Sequence, residues 1–220
     1  EEDIHHFESK VRPDLHHKNA VLAAMTKSFD ESVGRVLVRL KERDLDKNTI
    51  VVFASDNGGY IGTDHKAGQT VPVTNNTPLR SGKGSCYEGG IRVPLIVRWP
   101  GITKENTQCD EPVVVMDLFP TLLAAVGVIP SDDVTIDGMN LTPLLTDPAT
   151  TLDREALYFH YPHYYATTTP VGAVRAGDWK LLEYFEDNRI ELFNLKEDLS
   201  ETMNLAQKRP EKAAELREQL

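Results

Sequence analysis

The chain has 220 residues, 40% of them apolar and 26% charged, with a formal net charge of -10. That length suits one large or two small domains, and that composition suits a globular fold. The acidic balance argues against general binding to nucleic acid or anionic membranes, and no run approaches the roughly 18 apolar residues of a membrane helix.

The first residues, EEDIHHFESK, hold no initiating Met and no apolar run, so the chain reads as the later part of a longer protein. His5, His6, His16 and His17 are expected in a solvated segment. Across Lys18–Lys41, residues Val21, Leu22, Met25, Phe29, Val33, Val36, Leu37 and Leu40 recur at three- and four-residue steps, which predicts an amphipathic helix. The unbroken apolar run Thr49–Ala54 predicts a strand buried on both faces, as in a parallel sheet. Gly58 to Gly90 reads as one long loop, a length that is usually functional or disordered inside a compact domain. Ile91–Trp99 predicts a further strand, interrupted at Pro94. Asp117 precedes a predicted helix that runs through Val126, with Pro120 in its first turn and Gly127 as its stop. Ser131–Thr150 reads as a loop and a boundary.

Beyond it, Ala156–Tyr161, Gly172–Ala176, Trp179–Phe185 and Ile190–Asn194 predict short strands, with Glu186–Arg189 as a hairpin turn. Pro210 opens a last helix with Ala213, Leu216 and Leu220 on one face. The expected class is α/β. Residues 1–150 form part of a mostly parallel sheet flanked by helices, and residues 151–220 form a small antiparallel sheet packed by a helix.

Asp56 and Asn57 stand at the carboxyl end of the first predicted strand, where open α/β sheets bind ligands. A carboxylate and a carboxamide oxygen suit a hard cation such as calcium or magnesium, although calcium takes six to eight oxygens. The same residues are ordinary turn formers. Lys83 lies between Gly82 and Gly84, so backbone can bend around a tetrahedral anion while the ammonium meets it; the plain alternative is a solvated lysine. Arg80 and Arg92 add positive charge nearby. Glu88 is expected either to orient Lys83 or to cap backbone amides.

His65 falls in the long loop. His160 and His163, in FHYPHYY, have the aromatic neighbours that suit a sugar or aryl ring, or that pack on the small sheet. Cys86 and Cys109 allow one disulfide or two free thiols, and neither sits in a nucleophile signature.

Taken in order, VGRVLVRLKERDLDKNTIVVFASDNGG, TPLRSGKGSCYEGGIRVPLIVRWPG, VVVMDLFPTLLAAVG and IDGMNLTPLL resemble the later half of the formylglycine-dependent sulfatases, members of the alkaline phosphatase-like superfamily. GAVRAGDWKLLEYFEDNRIELFNLKEDLSETMNLA resembles that family's small C-terminal subdomain. The resemblance implies that Asp56 and Asn57 are two ligands of an active-site calcium, with magnesium as the alternative. It implies that Lys83 contacts the sulfate and stabilises charge during cleavage. It also implies a sulfated carbohydrate or aryl sulfate as substrate, with His65, His160 and His163 as sugar contacts, and a periplasmic or secreted location.

The family's nucleophile is a formylglycine made in a C/S-x-P-x-R run, and no such run occurs in these 220 residues. The nucleophile, two early aspartate ligands and an upstream histidine–lysine set are expected on a missing N-terminal half of the same protein. This segment alone is therefore expected to be inactive. Two other readings stay open: a phosphoric or phosphonic ester hydrolase of the same superfamily, and a non-catalytic glycan-binding module.

Overall fold

A computed structural model describes residues 1–66 and 69–220, with side chains described outside 64–71. A short helix, α1 (Glu2–Glu8), forms within the segment expected to be solvated and leans on the long helix α2 (Ala20–Glu42), where Lys27 Nζ meets Asp3 at 2.8 Å. The start of α2 is set by Asn19, whose side chain accepts from the Leu22 amide at 3.0 Å; Lys18 therefore stays outside the helix. Arg39 and Lys41 lie in its last turn, where the helix dipole favours cations.

The predicted apolar strand is β1 (Val51–Ala54), and Phe29 of α2 reaches Phe53 on it at 6.0 Å between ring centroids. Among the described residues β1 has one neighbour, and that pairing is antiparallel where a parallel one was expected. β1 pairs antiparallel with β4 (Leu95–Arg98), Val52 opposite Val97, and its residues are only half-buried or exposed. An apolar run records that both faces want cover; strand direction is decided by how the chain returns. Ile96 on β4 remains 63% exposed, so one face still lacks cover.

The expected long loop is also more structured than its composition suggests. It contains a hairpin of β2 (Thr63–Lys66) and β3 (Gln69–Pro72), then a one-turn helix, α3 (Glu88–Ile91). Polar strands carry no alternation to read, which is why pattern analysis passes over them. Ile91 ends α3, so β4 begins only after Pro94.

Helix α4 (Leu118–Ala125) carries Pro120 in its first turn, and Gly127 stops it at φ +68°. Asp117, fully buried before α4, accepts from the Val114 and Met139 amides at 2.8 Å each and binds both guanidinium nitrogens of Arg154. The expected boundary loop is thus tied back to α4. It also holds a short helix, α5 (Thr142–Thr146), preceded by Leu141, whose amide donates to Thr121 Oγ1 at 2.8 Å.

The C-terminal sheet runs in the order β5 (Leu157–Tyr161), β6 (Val171–Ala176), β7 (Trp179–Tyr184), β8 (Ile190–Asn194), all antiparallel. Alternation along each strand builds two apolar faces. One face, with Val174, Leu181 and Leu192, is covered by Ala213 and Leu216 of α6 (Pro210–Gln219). The other, with Val171, Ala173, Leu182 and Phe193, is covered by Cys86 and Tyr87. The segment just after Lys83 therefore completes the core of the C-terminal sheet. Among the described residues, no helix is long and apolar enough to cross a membrane.

Both cysteines are free: Cys86 is buried, Cys109 exposed. Burial pushes the Cys86 thiol up to about 11, so almost none of it is thiolate at pH 8. One thiol per chain, Cys109, is expected to react with a thiol reagent at pH 8 in native protein, and two in urea. Two equivalents reacting rapidly without denaturant would contradict this packing.

Candidate functional site

The SDNGG run leaves β1 and is stitched, backbone to backbone, to two glycine segments. Gly58 N donates to Gly90 O at 2.9 Å, Lys83 N to Gly59 O at 3.1 Å, and Gly89 N to Arg80 O at 2.8 Å. The glycines are required by proximity. A Cβ on Gly58 would lie 1.7 Å from Gly89 O, and one on Gly82 would lie 2.3 Å from Gly59 O. Asn76 locks the arrangement: its Oδ1 accepts from Gly59 N at 3.2 Å, and its Nδ2 donates to Gly59 O and Ser81 O at 3.0 and 2.9 Å. Sequence reasoning passed over Asn76. One carboxamide can bridge two peptide groups, but nothing in TNNTP marks which asparagine does so.

Gly58→Ala is expected to destabilise the fold by about 2–3 kcal/mol, since backbone on the far side must move to admit the methyl. Thermal unfolding measures this, and an unchanged midpoint would refute the close approach.

This stitching brings Asn57 and Lys83 to the wall of one cavity of about 430 Å³, which Ser55, Tyr60, Asn76 and Arg92 also line. Asp56, next to Asn57, is exposed beside the cavity. The Asn57 Nδ2 donates to Gly58 O at 3.0 Å, which turns Oδ1 into the atom available to a cation. The donor pair is all oxygen and fits a hard divalent cation, but it is incomplete. Among the described residues there is no group of three or more His, Cys, Asp or Glu able to hold a metal ion. Lys83 is exposed, with its amide held by Gly59. Arg92 adds a second cation to the wall while its guanidinium stays 3.4 Å from Glu88. Two cations on one wall of an acidic chain give the local positive charge that an anionic ligand would need.

Glu88 does not orient Lys83. Its side chain turns inward, where Oε1 accepts from Lys180 Nζ at 2.9 Å. Glu201 Oε2 accepts from the Glu88 amide at 2.7 Å, and Glu201 Oε1 faces the same ammonium at 2.9 Å without a well-directed N–H. All three side chains are essentially inaccessible. Burial raises the Glu201 carboxyl above its ordinary value, and Lys180 only partly offsets that. For Glu88 the same burial is outweighed by Lys180, and the carboxyl falls below its ordinary value.

Arg80 is equally structural. Its guanidinium stacks on Tyr87 at 3.9 Å and donates to Glu201 O at 2.9 Å. Tyr87 donates to Glu191 at 2.7 Å and accepts from Tyr184 at 2.8 Å; burial and these partners push its hydroxyl well above the usual range. Lys180, Glu191 and Glu201 escaped sequence reasoning because about a hundred residues separate them from Arg80 and Glu88.

His65 lies in β2, and its side chain falls outside the described ones. His160 is exposed on β5 with its ring 5.5 Å from Phe185, and His163 is exposed with its ring 5.4 Å from Tyr161. Neither lines the cavity. The part of their loop that does reach the lysine is further on: Thr167 Oγ1 donates to Lys83 O at 2.9 Å, and Tyr165 lies against Gly84. Of the early histidines, His17 meets Thr74 Oγ1 at 3.1 Å, and His16 O accepts from Asn75 at 2.7 Å, so residues 16 and 17 dock beside Asn76.

Comparison with known proteins points to one family. The sulfatase family model matches residues 8–128, and the model for the C-terminal part of N-sulphoglucosamine sulphohydrolase matches residues 82–220. A curated sulfatase from Formosa agariphila is 36% identical over 222 residues, covering 93% of this chain and 38% of the relative. The crystal structure of Ps i-CgsB in complex with k-i-k-neocarrahexaose superposes with a TM-score of 0.78 at 29% identity, covering 99% of this chain and 45% of that one. BT4656 in complex with its substrate D-glucosamine-2-N,6-O-disulfate superposes with a TM-score of 0.71 at 28% identity, covering 92% and 39%. The chain spans less than half the length of each.

Proposed function

We propose, for a chain that belongs to the sulfatase family, that it supplies one wall of the active site of a sulfuric ester hydrolase acting on a sulfated carbohydrate or aryl sulfate. The observation that carries this reading is the meeting of Asn57 and Lys83 on one cavity, from segments that only backbone stitching through Gly58, Gly59 and Asn76 brings together. Two of the similar structures hold sulfated or related saccharides, which favours the carbohydrate class.

In this reading Asp56 and Asn57 hold a divalent cation, calcium or in its place magnesium, and that cation supplies charge neutralisation at the ester's sulfate oxygens. Lys83 places its ammonium against the same sulfate. Negative charge builds on the leaving ester oxygen as the S–O bond breaks, so a cation fixed beside it in advance lowers the barrier more than it tightens substrate binding. The Gly59–Lys83 hydrogen bond makes the lysine loop and the Asp56–Asn57 turn one rigid unit, so anion and cation sites keep their separation. The formylglycine and remaining ligands are proposed on sequence outside these 220 residues. His65, His160 and His163 are proposed sugar contacts, residues 1–150 and 151–220 the two domains, and the location periplasmic or secreted.

Exposed apolar residues support a missing neighbour from the same protein. Met25 and Phe29 on α2, Ile96 on β4, and Phe119, Val126 and Ile129 around α4 are all more than half exposed. The test is release of inorganic sulfate from a sulfated monosaccharide. Full-length protein is expected to release it, to stop in EDTA and to recover with calcium, while the 220 residues alone release none. Faster hydrolysis of the matching phosphate ester would overturn the sulfatase reading.

A further inference from the structure

Tyr165 and Thr168 exchange two backbone hydrogen bonds, at 3.0 and 3.1 Å, and so close a tight turn between β5 and β6. Two side chains fasten this turn. Thr167 Oγ1 donates to the Lys83 carbonyl at 2.9 Å, and Tyr164 donates to Glu186 on the far side. Between them, the Tyr165 ring lies so close to Gly84 that a Cβ there would sit 2.2 Å from its Cδ1. Gly84 has φ +81°, so the contact rests on a residue that is glycine for two reasons. One side of the ring is covered by backbone, yet Tyr165 remains 39% exposed. The result is an aromatic ring held against Gly84 and partly open to solvent, outside the lining of the cavity but against the residue that follows Lys83.

We propose that Tyr165 is a specificity-determining platform: its open ring face receives the pyranose of a substrate whose sulfate is held at Lys83. The proposal rests on the sulfatase reading and narrows its substrate class to esters with a sugar ring next to the sulfate. The apolar C–H face of a pyranose complements an aromatic face, and the phenol offers one hydrogen bond to a ring hydroxyl. A ring already held by the Thr167 and Tyr164 anchors loses little freedom when sugar binds. Inorganic sulfate, which has no ring, touches Lys83 and not Tyr165.

The experiment uses full-length protein, a sulfated monosaccharide as substrate and inorganic sulfate as competitive inhibitor. Tyr165→Leu keeps an apolar cover on Gly84 but removes the flat face. It is expected to raise KM for the sulfated sugar about tenfold, with kcat within about twofold, and Tyr165→Ala to act likewise. Tyr165→Phe keeps the platform and stays within about threefold of wild type. The inhibition constant of inorganic sulfate stays within about twofold in every variant. An unchanged KM in Tyr165→Leu and Tyr165→Ala overturns the proposal. So does a parallel loss of sulfate inhibition, because Tyr165 would then only prop the Lys83 loop. A wild-type protein that releases sulfate from no ester overturns the sulfatase reading itself, a result distinct from both.

Discussion

Lys180→Met is expected to destabilise the protein by about 3–5 kcal/mol at pH 8, because it leaves two buried carboxylates with no countercharge between them. Glu88 and Glu201 both stand 2.9 Å from the Lys180 ammonium, and none of the three side chains reaches solvent. In the native protein the two carboxyls pull pH dependence in opposite directions. Glu88 titrates below the ordinary glutamate value of 4.5, so its contribution is present above that pH and is lost as pH falls through the folded value. Glu201 titrates above 4.5, so its contribution is present below that pH and is lost as pH rises through the folded value.

Without the lysine, burial raises Glu201 further while Glu88 keeps the more distant Arg92 at 3.4 Å, so stability falls as pH climbs from 4.5. Urea unfolding at pH 5 and pH 8 reads this directly: the deficit of Lys180→Met shrinks at the lower pH. Adding Glu88→Gln and Glu201→Gln to the variant recovers much of the loss at pH 8. A variant as stable as the parent at pH 8 would show that the buried triad contributes nothing.

Lys83→Ala is expected to lower kcat of the full-length protein on a sulfate ester by about 10²–10³-fold while leaving the unfolding midpoint within a degree or two. The separation of the two effects follows from the structure. Lys83 is exposed, and what anchors its loop is its amide and carbonyl, bonded to Gly59 and Thr167, neither of which the substitution touches. Lys83→Arg keeps the charge but moves it on a longer, planar head and recovers only part of the rate. Equal kcat in wild type and Lys83→Ala would remove the lysine from the chemistry, whatever the family resemblance implies.

The fold was unevenly legible. Helix α2, β1, the four C-terminal strands and α6 showed in hydrophobic period and in breakers such as Pro210, which are local signals, even though the apolar face of α2 stays largely uncovered among the described residues. The β2–β3 hairpin did not show, since its residues alternate no apolar face. Nor did the direction of the β1–β4 pairing, which depends on the route of the chain between them. Asp56, Asn57 and Lys83 stood out through residue chemistry and flanking glycines. Their neighbours Asn76 and Tyr165 did not, nor did the buried partners Lys180 and Glu201: all are common residue types, and only spatial neighbours make them special.

The amino-acid sequence alone determined the chemical character of the proposed site, an oxygen donor pair and a glycine-flanked lysine, because those properties reside in single side chains and short runs. Tertiary structure alone decided that Asn57 and Lys83 share a cavity, that Glu88 serves Lys180 and not Lys83, and that the C-terminal sheet reaches back through Thr167 and Tyr165 to hold the lysine loop. These are long-range contacts. They depend on where backbone glycines permit close approach and where a buried charge finds its partner, and neither is local to any stretch of residues.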